Sequence, residues 1–284
     1  NSAIDAGGII PQDWLDISGY TCNGIKAAKV NDPNFVYYDT IQIPNGITAI
    51  APNAFNGLRK TNIKKFVQLN TSAQDASGLT VGPLAFVDSF PNLETLELQD
   101  CKLIEYGAFM GLTKLKNVSI LSDTPISSKP ASPPDRMWIA NNIDMWGITI
   151  EGSAFLNCSS IERLSIPNLY YLGTKAFGDC TSLTRIDAIN LMDWDVEPFG
   201  GCANLRNVSI GARIETDTSY YNFIPIPYNE LLKNTYFTNS NCYLDQCAIY
   251  VTNIPTQPAG YFNAWFGYVS GDGSGINSVM YNRD

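Results

Sequence analysis

Residues 149–189 read TIEGSAFLNCSSIERLSIPNLYYLGTKAFGDCTSLTRIDAI, and they hold one pattern twice, 22 residues apart. Ala154-Phe155 returns as Ala176-Phe177, Cys158 returns as Cys180, and Ile161-Leu164-Ile166 returns as Leu183-Ile186-Ala188. Outward from this stretch the pair stands at Ala54-Phe55, Ala85-Phe86 and Ala108-Phe109, and Pro198-Phe199 fills a sixth slot. The intervals between the six phenylalanines are 31, 23, 46, 22 and 22 residues, so the period is 22 to 23 with two longer gaps. Self-similarity at such a period marks a repeat architecture.

The neighbouring columns carry the same message. Five places before each Phe stand Ile50, Val81, Ile104, Ile150, Leu172 and Trp194, all large and apolar. Three places after it stand Leu58, Leu112, Cys158, Cys180 and Cys202, with Phe90 displaced by one. An L-x-x-V-x-I pattern then follows, as in Leu115-Val118-Ile120 and Leu205-Val208-Ile210; it fits the second unit with one inserted residue and the first only loosely. Alternation of this kind predicts a short strand with one buried face, and the Ala-Phe segment predicts a helical or 3-10 turn that returns the chain. One strand per repeat cannot bury its own apolar face, so successive units must stack, with strands paired in parallel.

The segments GITAIAPNAFNGL (46–58), KLIEYGAFMGLTKLKNVSI (102–120), the opening stretch and EPFGGCANLRNVSI (197–210) resemble leucine-rich repeats of the BspA type. The resemblance covers about residues 41–210 and is most specific at 148–210. It implies an α/β repeat fold: a curved solenoid with a parallel β-sheet on the concave side and short helical or 3-10 turns and loops on the other. It also implies a bacterial surface protein, often of Bacteroides-like organisms, engaged in adhesion or partner binding, with no ligand common to the family. Residues 247–266 resemble the closing strand and tyrosine-containing turn of such arrays. The expected organisation is a cap or upstream remnant over 1–40, the solenoid over 41–210 with an insertion at about 121–147, and an irregular repeat and cap over 211–284.

Departures from a repeat tend to fall on one side of a solenoid, where function can reside. The largest, residues 121–147, is proline-rich in its first half and carries Trp138 and Trp146 in its second. Those tryptophans offer an aromatic platform for a glycan or protein; alternatively they pack the insertion on the solenoid, or the segment is a decayed repeat, since 46 is twice 23. The tyrosines at 220, 221, 228, 236, 243 and 250 allow either ligand contact or capping of the apolar stack.

Composition narrows the chemistry. The 284 residues contain no histidine, which removes the Ser/His/Asp and Cys/His nucleophile pairs and the HExxH metal site. Acidic residues outnumber basic ones 27 to 18, a net charge of −9 that counts against nucleic acid as a partner. No apolar run approaches the length of a transmembrane helix. The seven cysteines suggest a disulfide framework until the register is applied. Cys158, Cys180 and Cys202 then fall in a leucine column and Cys101 in an Ile/Leu column, as free, buried thiols; Cys242 and Cys247 remain a candidate bridge. Asp193, Asp195 and Glu197 lack the spacing of a calcium loop and are expected in a solvated turn. No cofactor or metal site is expected. Asn117 and Asn207 satisfy N-x-S/T within a strand column, so the match reflects the repeat.

That column defines the candidate binding surface. If the apolar residues of the strand point inward, Asn117, Arg163, Arg185 and Asn207 (eight after each Phe) and Ser119, Ser165, Asp187 and Ser209 (ten after) face outward together. The expectation is a non-enzymatic protein, secreted or held at the outer membrane by an anchor outside these residues. It binds a protein or matrix ligand through this face; a carbohydrate-binding module using Trp138 and Trp146, or a passive stalk, is the alternative.

Overall fold

The computed structural model describes residues 8–69, 78–122, 147–188, 191, 193–194, 198–205, 207–211, 248–252 and 279–281, with 193–194, 207–211, 248–252 and 279–281 described by their backbone. The entry segment comprises β1 (Gly8–Ile9), β2 (Leu15–Ser18) and β3 (Thr21–Ile25), with one short helix, Ala27–Val30, before the repeats. The chain then alternates between two parallel sheets, a front and a back. To the front go β4 (Tyr38–Ile43), to the back β5 (Ala49–Ile50), then β6 (Lys65–Gln68) front and β7 (Leu79–Val81) back. The alternation continues through β8 (Thr95–Leu98), β9 (Cys101–Ile104), β10 (Asn117–Ile120) and β11 (Ile148–Ile150). It ends with β12 (Arg163–Ser165), β13 (Leu169–Leu172), β14 (Arg185–Ala188), β15 (Asp193–Trp194) and β16 (Asn207–Gly211). Two more front strands follow, β17 (Ala248–Thr252) and β18 (Val279–Tyr281), so β17 is not the last strand of its sheet.

The front strands are those of the L-x-x-V-x-I pattern. The back strands are the column five places before each Phe, which the sequence reading assigned to no strand. Each repeat therefore supplies two strands, and the side expected to hold turns and loops carries a second parallel sheet of eight strands, capped by the antiparallel β2–β3 pair.

Between back and front strands the chain makes the Ala-Phe turn, and this turn forms a third ladder. The Phe55 N–H donates to Ala85 O, Phe86 to Ala108 O, Phe109 to Ala154 O, Phe155 to Ala176 O and Phe177 to Pro198 O, all at 2.7–2.8 Å. In this slot the carbonyl joins the ladder while the alanine N–H closes only a local turn, as Ala54 to Ala51 O and Ala176 to Gly173 O at 3.1 Å, so Pro198 keeps the ladder bond and forgoes the turn bond alone. Two places after Phe the backbone is left-handed, with φ of 73° at Gly57, 51° at Asp88, 82° at Gly111, 61° at Asn157, 54° at Asp179 and 82° at Gly201. Glycine, asparagine and aspartate tolerate that region best, so the column is confined to them.

The rings themselves form a continuous stack. Centroids lie 5.0 Å apart for Phe55–Phe86, 4.7 Å for Phe86–Phe109, 5.1 Å for Phe109–Phe155, 5.0 Å for Phe155–Phe177 and 6.0 Å for Phe177–Phe199. Phe109 thus rests directly on Phe155, and β9 pairs with β11 through Leu103–Thr149 and Ile104–Ile150. The two described units on either side of the 46-residue interval are therefore direct neighbours in the stack.

The cysteines confirm the value of register. Cys22, Cys101, Cys158, Cys180 and Cys202 are free and buried; Cys242 and Cys247 lie outside the described residues. The Cys158 thiol donates to Phe109 O at 3.3 Å, Cys180 to Phe155 O at 3.4 Å and Cys202 to Phe177 O at 3.1 Å. Each thiol therefore ties its turn to the preceding one, which leucine in the same column cannot do. Burial pushes the Cys158 thiol up to about 12 and the Cys22 thiol up to about 11, so these sulfurs are structural.

Candidate functional site

The outward rows of the front sheet are built by strand alternation. Along β8 and β14 every second side chain is buried, and Leu96, Leu98, Ile186 and Ala188 enter the core. The intervening residues stand in register from strand to strand. One row runs Thr40, Lys65, Thr95, Asn117, and the next Gln42, Val67, Glu97, Ser119. In the second half the rows run Arg163, Arg185, Asn207 and Ser165, Asp187, Ser209, the last of each placed by backbone register. Asn117, Ser119, Arg163, Ser165 and Arg185 are exposed and Asp187 is half-buried.

The front sheet is split, which the sequence does not disclose. Strands β1, β4, β6, β8 and β10 form one five-stranded sheet and β12, β14, β16, β17 and β18 another. The back sheet crosses the same point without interruption. The eight front-sheet candidates therefore fall into two groups, Asn117 and Ser119 on one side and the remaining six on the other. A cleft of about 390 Å³ lies where the halves meet, lined by Thr95, Glu97, Lys116, Asn117, Val118, Ser119, Glu162 and Arg163.

Ion pairing is uneven across this face. Lys65 holds Glu97 at 2.8 Å across two strands. Arg185 grips Asp187 with both arms, Nε to Oδ2 at 2.8 Å and Nη2 to Oδ1 at 2.9 Å. Arg163 and Arg185 are direct cross-strand neighbours, a repulsive placement that the carboxylate of Asp187 relieves on one side. Neither Arg163 nor Lys116 has a hydrogen bond or ion pair from its side chain to another described residue. Asn117 Nδ2 reaches Thr95 Oγ1 at 3.4 Å.

A second feature lies off the front face. Glu105 follows β9 and Glu151 follows β11, at equivalent places in adjacent repeats, and Glu151 Oε2 accepts the Tyr106 N–H at 3.0 Å. Partial burial, and then the Glu151 charge, raise the Glu105 carboxyl above its ordinary range. The folded chain thus holds that proton more tightly than the unfolded chain, and this contribution to stability is lost as pH rises through the folded-state value. Glu105→Gln is expected to raise the melting temperature at pH 7, with the gain fading below about pH 4 where the carboxyl is protonated anyway. A gain unchanged between the two conditions would show that charge is not the cause.

Sequence reasoning missed Lys65, Thr95 and Glu97, which share the rows with Asn117 and Ser119, because the first unit fits the pattern loosely and the second carries an inserted residue. It also passed over Lys116 and Glu162, just before their strands. Lys116 aligns with Glu162 at seven places after Phe, so that column was open to inspection. Trp138 and Trp146 lie outside the described residues, as do Asp195, Glu197 and the tyrosines from 220 to 243. Among the described residues no group of three or more Cys, Asp or Glu is placed to hold a metal ion, and no helix is long and apolar enough to cross a membrane.

A family model described as a BspA type leucine rich repeat region matches residues 34–129 and 148–259 in six copies. Among solved structures, a leucine-rich repeat protein from Bacteroides ovatus is 21% identical, with a TM-score of 0.44 over 63% of this chain. The chain spans 38% of the length of that protein. A leucine rich cell surface protein from Faecalibacterium prausnitzii is 16% identical, with a TM-score of 0.29 over 97% of this chain and 87% of its own. The pneumococcal vaccine antigen PcpA is 13% identical, with a TM-score of 0.25 over 100% of this chain and 91% of its own. A search of curated proteins returned no match.

Proposed function

The chain belongs to the BspA-type leucine-rich repeat family, and from that premise we propose that it is a non-enzymatic surface or secreted protein that binds a protein ligand through its front sheet. The observation that carries this reading is the outward face of that sheet. It presents ordered rows of short polar and charged side chains on two hydrogen-bonded ladders, Thr95 and Asn117 on one and Arg163 and Arg185 on the other. Rows of this kind supply hydrogen-bond donors and acceptors at fixed spacing with little entropy to lose on binding. The chain contains no histidine, and of the two carboxylates that line the cleft, Glu97 and Glu162, the first is held by Lys65 at 2.8 Å, which favours recognition over catalysis. A Bacteroides-like or other gut bacterial surface is the setting that suits the family.

The test is capture from matrix and cell-surface extracts by the intact protein and by Arg163→Glu/Arg185→Glu. The same protein partner should be captured by the parent and reduced at least about tenfold by the variant. Equal capture by both excludes the front sheet. Loss of capture after treating the extract with glycosidases, with the protein partner intact, would favour a carbohydrate ligand.

A further inference from the structure

We infer that the cleft at the split in the front sheet receives an acidic segment of a protein partner, whose carboxylates are taken by Arg163 and Lys116. This deepens the front-sheet reading above and rests on it. Two observations converge on the place. The front ladder stops at β10 and restarts at β12, whereas the back sheet and the phenylalanine stack pass through, so the opening is confined to one face. The cations of the front rows differ on either side of it: Lys65 and Arg185 each hold a carboxylate at 2.8 Å, while Arg163 and Lys116, both lining the cleft, hold none among the described residues.

A chain with 27 acidic residues has carboxylates to spare, yet those in the cleft do not neutralise this pair. Glu97 is engaged by Lys65, and Glu162 makes no ion pair with either cation. Glu162 also lines the cleft, where its carboxylate can accept from backbone or amide donors of the same segment. Asn117 and Ser119 stand beside the cations and can hydrogen-bond the same segment. Arginine offers a planar fork matched to a carboxylate, and lysine adds a mobile second charge. The lining contains no aromatic ring on which a sugar could stack, and this favours a peptide carboxylate over a glycan.

The probe is a fluorescently labelled peptide of alternating glutamate and serine, compared with its glutamine counterpart by anisotropy at low and moderate salt. The glutamate peptide should bind the parent protein, the glutamine peptide should bind at least about tenfold more weakly, and Lys116→Glu/Arg163→Glu should lose the preference. Lys26→Glu/Lys175→Glu carries the same charge change at residues that do not line the cleft and should retain it. Equal loss in both double variants would reduce the effect to net charge and overturn the assignment. So would tighter, cleft-dependent binding of dextran sulfate than of the peptide. Absence of peptide binding would overturn the carboxylate site alone, since the front-sheet reading is judged separately by extract capture.

Discussion

Phe155→Ala is expected to lower the free energy of unfolding by about 3–5 kcal/mol, measured by chemical denaturation. The ring is fully buried and lies 5.1 Å from Phe109 and 5.0 Å from Phe177, so its removal leaves a cavity open to two neighbours. Its position makes the effect larger than composition suggests. Between β10 and β12 the front ladder is missing, and the repeats on either side are joined by the back sheet, the turn ladder and this ring stack. In a solenoid, stability is a sum of intrinsic and nearest-neighbour terms, so weakening the junction also reduces cooperativity. A second, earlier transition is therefore expected in the variant's melt. A loss under about 1 kcal/mol would mean that Phe155 is not in a close-packed core.

Gly173→Val is the other change of comparable size. A Cβ at this position would lie 2.3 Å from Gly152 N and 2.7 Å from the carbonyl carbon of Glu151. These are backbone atoms of the adjacent repeat, tied by the Gly173 N–H to Ile150 O bond at 2.8 Å, and they cannot turn aside as a side chain could. The repeats would have to separate, at a cost of about 3 kcal/mol or more. Gly111→Ala is the control: its φ of 82° carries conformational strain, but a Cβ there meets nothing within 4 Å. A cost of about 1–2 kcal/mol is expected for it. A loss for Gly173→Val no larger than that for Gly111→Ala would show that the repeats do not collide at this position.

The repeat, its period and its core were legible because they rest on identity of side chains in columns. Phe55 to Phe199, the cysteines and the front-strand alternation all follow from register alone. The back sheet was not legible, since its strands are as short as Ala49–Ile50 and Asp193–Trp194 and leave a single apolar column as their trace. The turn chemistry could have been read. The Gly, Asp and Asn residues two places after each Phe are a left-handed column, but a column defined by conformation is harder to see than one defined by hydrophobicity. The split between β10 and β12 is a relation between strands that share no sequence neighbourhood, and the cleft charges depend on which partners Lys65 and Arg185 select. Arg163 and Arg185 look equivalent in the sequence; only the pairing of Asp187 with Arg185 distinguishes them.

Hydrogen–deuterium exchange of the protein, alone and with its captured ligand, tests the central claim most directly. Binding through the front sheet predicts added protection in peptides spanning 95–98, 117–120, 163–165 and 185–188, with the back strands at 101–104 and 169–172 unchanged. Protection confined to the back strands or to the Ala-Phe turns, with the front strands unaffected, would contradict it.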